Sequence, residues 1–280
     1  IIPDNTLPVN SVTNVDGNKI SIEGGTPAGS NLFHSFQEFS IPTNNTAFFN
    51  NPIAIQNIIT RVTGNSISNI DGIIQTNGVA NLFLLNPNGI IFGANARLNI
   101  GGSFLASTAN SISFADRTQF STQPTQTNPL LSISTPVGLQ FGGNGGTIVN
   151  RSRITDTNNI AVGLQVQTGR NLSLIGGDIQ LEGGILTAER GRIDLASLRL
   201  GDWSLITSEQ TSTNNYGDIS LSQQAQVNAS GAGGGNVQVQ GRQIRLTDGS
   251  QIKVNTLGSE AGGNLFVNSD QSVELIGRLA

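Results

Sequence analysis

Apolar and polar residues alternate along this chain in short bursts, and the bursts recur at a near-constant spacing. Val162 to Val166, Leu172-Ser173-Leu174, Ile179-Gln180-Leu181, Ile193-Asp194-Leu195, Ile219-Ser220-Leu221, Val237-Gln238-Val239 and Leu265-Phe266-Val267 each put every second side chain on one face. A period of two marks a strand with one buried face. Leu172 to Ile193 spans 21 residues, and so does Leu164 to Ile185. Gly-Gly-Asn-Val-Gln-Val at 234–239 returns as Gly-Gly-Asn-Leu-Phe-Val at 262–267, 28 residues later. The shorter spacing fits one coil of a β-solenoid, about three short strands joined by turns. The longer one fits a coil with an enlarged loop. One coil cannot bury its inward side chains alone, so the next must stack on it. With strands about 4.8 Å apart, some 280 residues predict a rod of about 13 coils, on the order of 60 Å long.

Hairpins compete with this reading. Asp16-Gly17, Asp71-Gly72, Asn77-Gly78, Asn88-Gly89 and Asp248-Gly249 would be type I′ turns in a hairpin protein. The 21-residue spacing favours the solenoid. So do the small inward residues and an aromatic content of 5%, because a sandwich fills the space between its sheets with larger side chains. No apolar stretch keeps a helical period. Charged residues are only 11% of the chain, and Asn, Ser, Thr and Gln supply the polarity. Such side chains suit closely spaced turns.

Several function classes drop out. The net charge is −4 with two lysines, Lys19 and Lys253, so no basic stripe exists for nucleic acid. Arg151 with Arg153, and Arg190 with Arg192, read as charges on outward strand faces. Without cysteine there is no disulfide and no thiolate metal site. No run of about 18 apolar residues could cross a bilayer as a helix. The chain opens Ile1-Ile2-Pro3 and holds no methionine, which predicts a removed upstream segment such as a signal peptide. It closes on a strand at 273–276, which predicts that the natural protein continues.

Four regions differ in texture. Residues 1–30 read as an extended lead-in with Pro3 and Pro8, and 31–118 are the most apolar. Residues 119–145 read as a loop, with Pro124, Pro129, Pro136 and a glycine-rich run from Gly142. Residues 146–280 are the most regular. Within the apolar region, Asn86-Pro87-Asn88-Gly89-Ile90 reads as a turn between two buried strands. Pro87 fixes φ at the first central position, Asn88 tolerates the next, and Gly89 accepts positive φ.

Three further stretches accompany that turn: Asn31-Leu32-Phe33-His34-Ser35-Phe36-Gln37-Glu38-Phe39-Ser40-Ile41, then Arg61-Val62-Thr63-Gly64 ahead of Ile70-Asp71-Gly72-Ile73-Ile74, and Gly101-Gly102-Ser103-Phe104. In combination they resemble the filamentous haemagglutinin-type N-terminal secretion domain of two-partner secretion exoproteins, most like the cyanobacterial branch. The resemblance covers roughly residues 1–120. It departs at Phe48-Phe49-Asn50-Asn51-Pro52-Ile53, where classical members carry a second motif, Asn-Pro-Asn-Leu.

The resemblance implies an all-β fold: a right-handed single-stranded parallel β-helix with an N-terminal cap and small extra-helical β elements. It implies a secretion domain over residues 1–120, a loop region over 121–145 within the same rod, and a continuing β-helical stem over 146–280. It implies a monomer that is no enzyme and needs no cofactor or metal. The general secretory machinery would export it, and the periplasmic domains of a partner outer-membrane β-barrel transporter would recognise it while extended. It would then fold at the surface of a Gram-negative-type bacterium. Asn86, Pro87, Asn88, Gly89 and Ile90 would hold the early coils in register. Residues 1–50, with Asn31, His34, Phe36, Phe39, Asn50 and Asn51 foremost, and that same turn would carry recognition.

Two other readings stay open. An adhesin rod would bind glycans or receptors through its polar faces and residues 119–145. A β-helical polysaccharide lyase would need clustered carboxylates, and Asp178 with Glu182, or Glu189 with Asp194, come nearest. His34, the sole histidine, reads as packed among the first strands rather than as a base. Trp203 and Tyr216 read as packing at a loop base, with sugar stacking as the alternative.

Overall fold

The structure is a computed structural model that describes residues 1–123, 131–210 and 215–277. Among these residues there is no helix. Short strands stack in parallel arrays, coiling in the right-handed sense that crossovers between parallel strands take. The first array runs through Asn31–Glu38, Asn57–Val62, Asn81–Leu85, Phe104–Ser107 and Leu172–Gly176. It continues through the leading parts of Arg192–Ser204, Asn236–Leu246 and Leu265–Leu275. The second array holds Ser68–Ile70, Ile90–Phe92, Thr147–Asn150, Asp178–Glu182 and Ile219–Ser222, then the trailing parts of the last two long strands. The third side has two pieces. One is Lys19–Gly24, Thr46–Phe49, Ile73–Thr76 and Arg97–Asn99. The other is Leu164–Gln165, Ile185–Thr187, Gln226–Asn228 and Gln251–Lys253.

Register follows from burial. Leu32, Ile58, Leu82, Phe104, Leu172, Ile193 and Val237 stand one above another in successive strands, and all are buried. Ile90, Ile148, Ile179, Ile219 and Ile244 make a second such stripe. A slip of one residue would turn every one of these to the other face of its sheet. The spacings read from the sequence appear as pairings: Leu172 meets Ile193, and Val237 meets Leu265. Leu164 is a correction. It pairs with Leu186, not Ile185. Both residues are apolar and buried, so alternation could not choose between them.

The rod is shorter than the spacing implied. Eight strands stack in the first array among the described residues, not about 13, because two stretches leave the coil. Ser111–Phe114, Gln119–Ser121, Pro136–Gly142, the far end of Arg192–Ser204, Glu209–Gln210 and Asn215–Tyr216 form an antiparallel sheet outside it. Residues 119–145 are therefore not simply a loop. Pro136 opens a strand, a position where proline costs no ladder bond, and Leu139 and Phe141 alternate into a core. Pro124 and Pro129 lie outside the described residues.

This outer sheet covers the outward face of the first array. Phe33, Ile59, Leu85, Leu105, Ile175 and Ala196 pack beneath Ile112, Phe114, Phe120, Leu139, Phe141 and Trp203. The first array is thus buried on both sides, which is why residues 31–118 read as near-continuous apolar runs. Trp203 and Tyr216 are buried within this second core.

The N-terminal end is closed by antiparallel pieces. Ile2–Pro3 and Thr26–Ala28 pair along the edge of Asn31–Glu38 that Asn57–Val62 leaves open, and Ser11–Asp16 pairs with Lys19–Gly24 as a hairpin. Gly17 turns that hairpin at φ 54°, a conformation glycine adopts without penalty. Of the five candidate hairpin pairs, Asp16-Gly17 makes one. Asp71-Gly72, Asn77-Gly78, Asn88-Gly89 and Asp248-Gly249 instead lie at corners between parallel strands.

Leu195 is fully buried in the inner stripe between Leu174 and Val239. Leu195→Ala is expected to cost about 3 kcal/mol by removing apolar contact and leaving a cavity. Urea unfolding followed by circular dichroism measures it, and a loss below about 1 kcal/mol would contradict a closed inner core at that level.

Candidate functional site

The motif at 86–90 is a corner between the first and second arrays. Gly89 N–H donates to Asn86 C=O at 3.2 Å, closing a turn with Pro87 and Asn88 at its centre. Asn86 is fully buried and works in two directions. Its Oδ1 accepts from Asn88 N–H at 3.0 Å and from Asn88 Nδ2 at 2.9 Å. Its Nδ2 donates to Ser66 C=O at 3.0 Å and to Ser68 Oγ at 2.9 Å. Asn88 Nδ2 also donates to Gly64 C=O at 2.8 Å. The corner is thereby pinned onto the one below. Above it, Gly146 N–H donates to Pro87 C=O at 2.8 Å, and Ile90 pairs with Ile148. A Cβ on Gly146 would lie 2.4 Å from Asn88 O, so only glycine lets the two corners meet.

The sequence-predicted recognition residues occupy other places. His34, Phe36 and Phe39 join Phe49 in an aromatic cluster inside the first coils, with centroid separations of 5.4 to 6.1 Å. His34 is buried, and its Nδ1 lies 2.9 Å from Ser11 Oγ. Burial pushes its pKa down to about 3. Asn31 is buried and starts an amide ladder: Asn57 Nδ2 donates to Asn31 Oδ1 at 2.9 Å, and Asn81 Nδ2 to Asn57 Oδ1 at 3.0 Å. Asn31 Nδ2 reaches out to the carbonyls of Ser132 and Ser134 at 2.9 and 2.8 Å. Asn51 is buried beneath the Asn77 corner, accepting from Asn77 N–H at 2.9 Å. Asn50 beside it is exposed.

Sequence reasoning missed the most polar part of the site. Arg61 is 1% exposed, on the outward face of Asn57–Val62. Its Nε donates to Ser35 Oγ at 2.9 Å, one terminal nitrogen to Ser121 C=O at 2.6 Å and the other to Thr6 Oγ1 at 2.9 Å. The guanidinium carbon sits 4.1 Å from the centre of the Phe120 ring. Asp4 faces the same cluster and accepts from Thr6 Oγ1 at 2.6 Å, Ser35 Oγ at 2.8 Å and Thr63 Oγ1 at 2.5 Å. Burial pushes Asp4 up, but these hydrogen bonds prevail and hold it below the usual carboxylate range. Burial lowers Arg61 to about 10 against the opposing pull of Asp4. The available signal was a charged residue inside an apolar strand, which must be paired to be tolerated.

The carboxylates noted as nearest to a catalytic pair have structural partners. Asp178 accepts from Arg199 at 2.9 Å, Glu182 from Arg151 at 2.8 Å and Asp194 from Arg192 at 2.6 Å, while Thr168 donates to Glu189 at 3.1 Å. Each of these carboxylates is thus held by a neighbouring polar side chain.

Asn86→Ala leaves Ser66 C=O, Ser68 and the Asn88 amide without their buried partner. A loss of about 2 kcal/mol or more is expected in urea unfolding, and a change within about 0.5 kcal/mol would show that the corner does not depend on Asn86. His34 makes stability depend on pH. Its folded pKa lies below the 6.5 of the unfolded chain, so as pH falls the unfolded chain binds the proton first. The contribution is complete above about pH 6.5 and fades towards pH 3. About 2 kcal/mol should vanish between pH 8 and pH 5, above the range where Asp4 titrates. His34→Asn should flatten that slope, and an unchanged slope would assign the pH dependence elsewhere.

The TPS secretion domain family model matches residues 1–231. A heme/hemopexin-binding protein of Haemophilus influenzae is 38% identical over 88 residues, 31% of this chain and only 9% of that protein's length. The HMW1 secretion domain from Haemophilus influenzae aligns over 96% of this chain and 98% of its own, with a TM-score of 0.53 at 17% identity. A filamentous hemagglutinin secretion domain aligns over 99% of both chains, with a TM-score of 0.55 at 13% identity. Identities that low speak for the fold, and the family model speaks for the sequence. The coiled stack, its N-terminal closure and the match over residues 1–231 lead to one assignment: this chain belongs to the TPS secretion domain family of two-partner exoproteins.

Proposed function

We propose that this domain directs the export of the exoprotein that carries it, by presenting its first coils, still extended, to the periplasmic domains of a partner outer-membrane β-barrel transporter. The general secretory route delivers the chain to the periplasm, and the chain folds after it has crossed. The recognition segment lies within residues 1–120, and residues 146–280 form the stem. Exoproteins of this family are secreted, and the family is one of secretion domains rather than enzymes.

One observation carries the reading. Asn31, His34, Phe36, Phe39, Asn51 and Asn86 are all buried once the domain has folded. A folded domain offers a transporter none of these side chains. The extended chain offers all of them, on low-charge alternating segments suited to adding a strand to an exposed sheet edge. Folding then withdraws these six side chains and releases the partner.

The test is a titration of the transporter's isolated periplasmic domains with this chain in two forms. Chain freshly diluted from urea is expected to bind at least tenfold more tightly than the folded domain, and Phe36→Ser should weaken binding of the unfolded form. Equal affinity for both forms would overturn recognition in the extended state.

A further inference from the structure

An ideal solenoid folds coil by coil, because each repeat touches only its neighbours. The contacts in the first half of this domain break that rule. Arg61 takes a hydrogen bond partner from Ser121, 60 residues on, and its guanidinium is covered by Phe120. Asn31 donates to Ser132 and Ser134, more than 100 residues on. The Phe33 ring packs against Phe114 and Phe120 at 5.8 and 4.9 Å. Above the motif corner, Ser107 meets Asn86, but Pro87 and Ile90 gain their partners only when Gly146 and Ile148 arrive. Asp4 and Thr6, from the other direction, close on Ser35, Arg61 and Thr63.

Consider the chain when only the first hundred residues are available. Phe33, Ile59 and Leu85 then lack the cover that Ile112, Phe114, Phe120 and Leu139 give the outward face of the first array. Arg61 lacks one partner and its ring. The loop-closure cost of ordering those coils is incurred before the contacts that offset it exist.

From this we infer that residues 1–150 fold as one interlocked unit, completed only when the outer sheet and the Gly146 corner have come back onto the early coils. The interlock stands on the contacts above; its role as a control step rests on the export reading. The recognition residues at 31–39 and 86–90 stay accessible to the transporter through the export of roughly the first 120 to 150 residues. The return of 111–121 and 136–150 then completes the unit in which they are buried together. Coil-by-coil propagation begins only above this unit.

Two measurements on the full chain test it, neither with a transporter present. The first is pulse-labelled hydrogen exchange during refolding from urea. Amides of 31–40 and 57–62 are expected to gain protection in the same kinetic phase as those of 111–121 and 136–150. Protection of 31–62 in an earlier phase, with 136–150 still exchanging, would overturn the inference. The second is native-state exchange in two variants. Gly146→Ala should lower protection at Asn57–Val62 by the same factor as at Thr147–Asn150, at least tenfold. Arg61→Gln should likewise lower protection at 136–142. Loss confined to the mutated coil would overturn it. Failure here removes the interlock and leaves the export reading intact, whereas failure of the transporter titration does the opposite.

Discussion

No coil of this protein can bury its own inward side chains, and everything else follows from that dependence. A strand of four or five residues offers two or three apolar side chains to the interior. Alone, they would gain too little to offset the ordering of the backbone. Stacked, they form continuous stripes such as Leu32 to Val237, in which each side chain is covered from above and below. Because the side-chain period is two, the stripes also fix register. Polar ladders reinforce it, as where Asn31, Asn57 and Asn81 hand an amide hydrogen bond from coil to coil.

The outer sheet makes the first array unlike the other two sides. With a core on each face, its strands can be apolar throughout, and a charge among them must be fully satisfied. Arg61 meets that demand with three hydrogen bond acceptors and an aromatic ring, and Asp4 lies in the same network. Truncating one partner of such a cluster leaves others buried and unpaired, which costs more than the interaction itself contributes. The cluster therefore ties the lead-in, the first two coils and the outer sheet into a single energetic unit.

On the export reading proposed above, this arrangement connects stability to export. The same side chains that resemble recognition elements in the extended chain are interior packing groups in the folded one. In that proposal, a single set of residues serves the extended state as recognition groups and the folded state as packing groups. His34 is an instance: in the folded domain it is buried neutral beside Ser11 and the aromatic cluster.

The sequence by itself determined whatever depends on neighbours along the chain. Alternation set the strands, the phrase at 234–239 and 262–267 set a parallel pairing in register, and proline, asparagine and glycine at 87–89 set a tight turn. Only the tertiary structure decided that Leu164 meets Leu186, that Pro136–Gly142 is a strand in an outer sheet, and that Arg61 reaches Ser121. A local pattern records which face of a segment is apolar, but not which distant segment will cover it. That is settled by the path of the whole chain, since cover for the first coils arrives from residues 60 to 100 positions later.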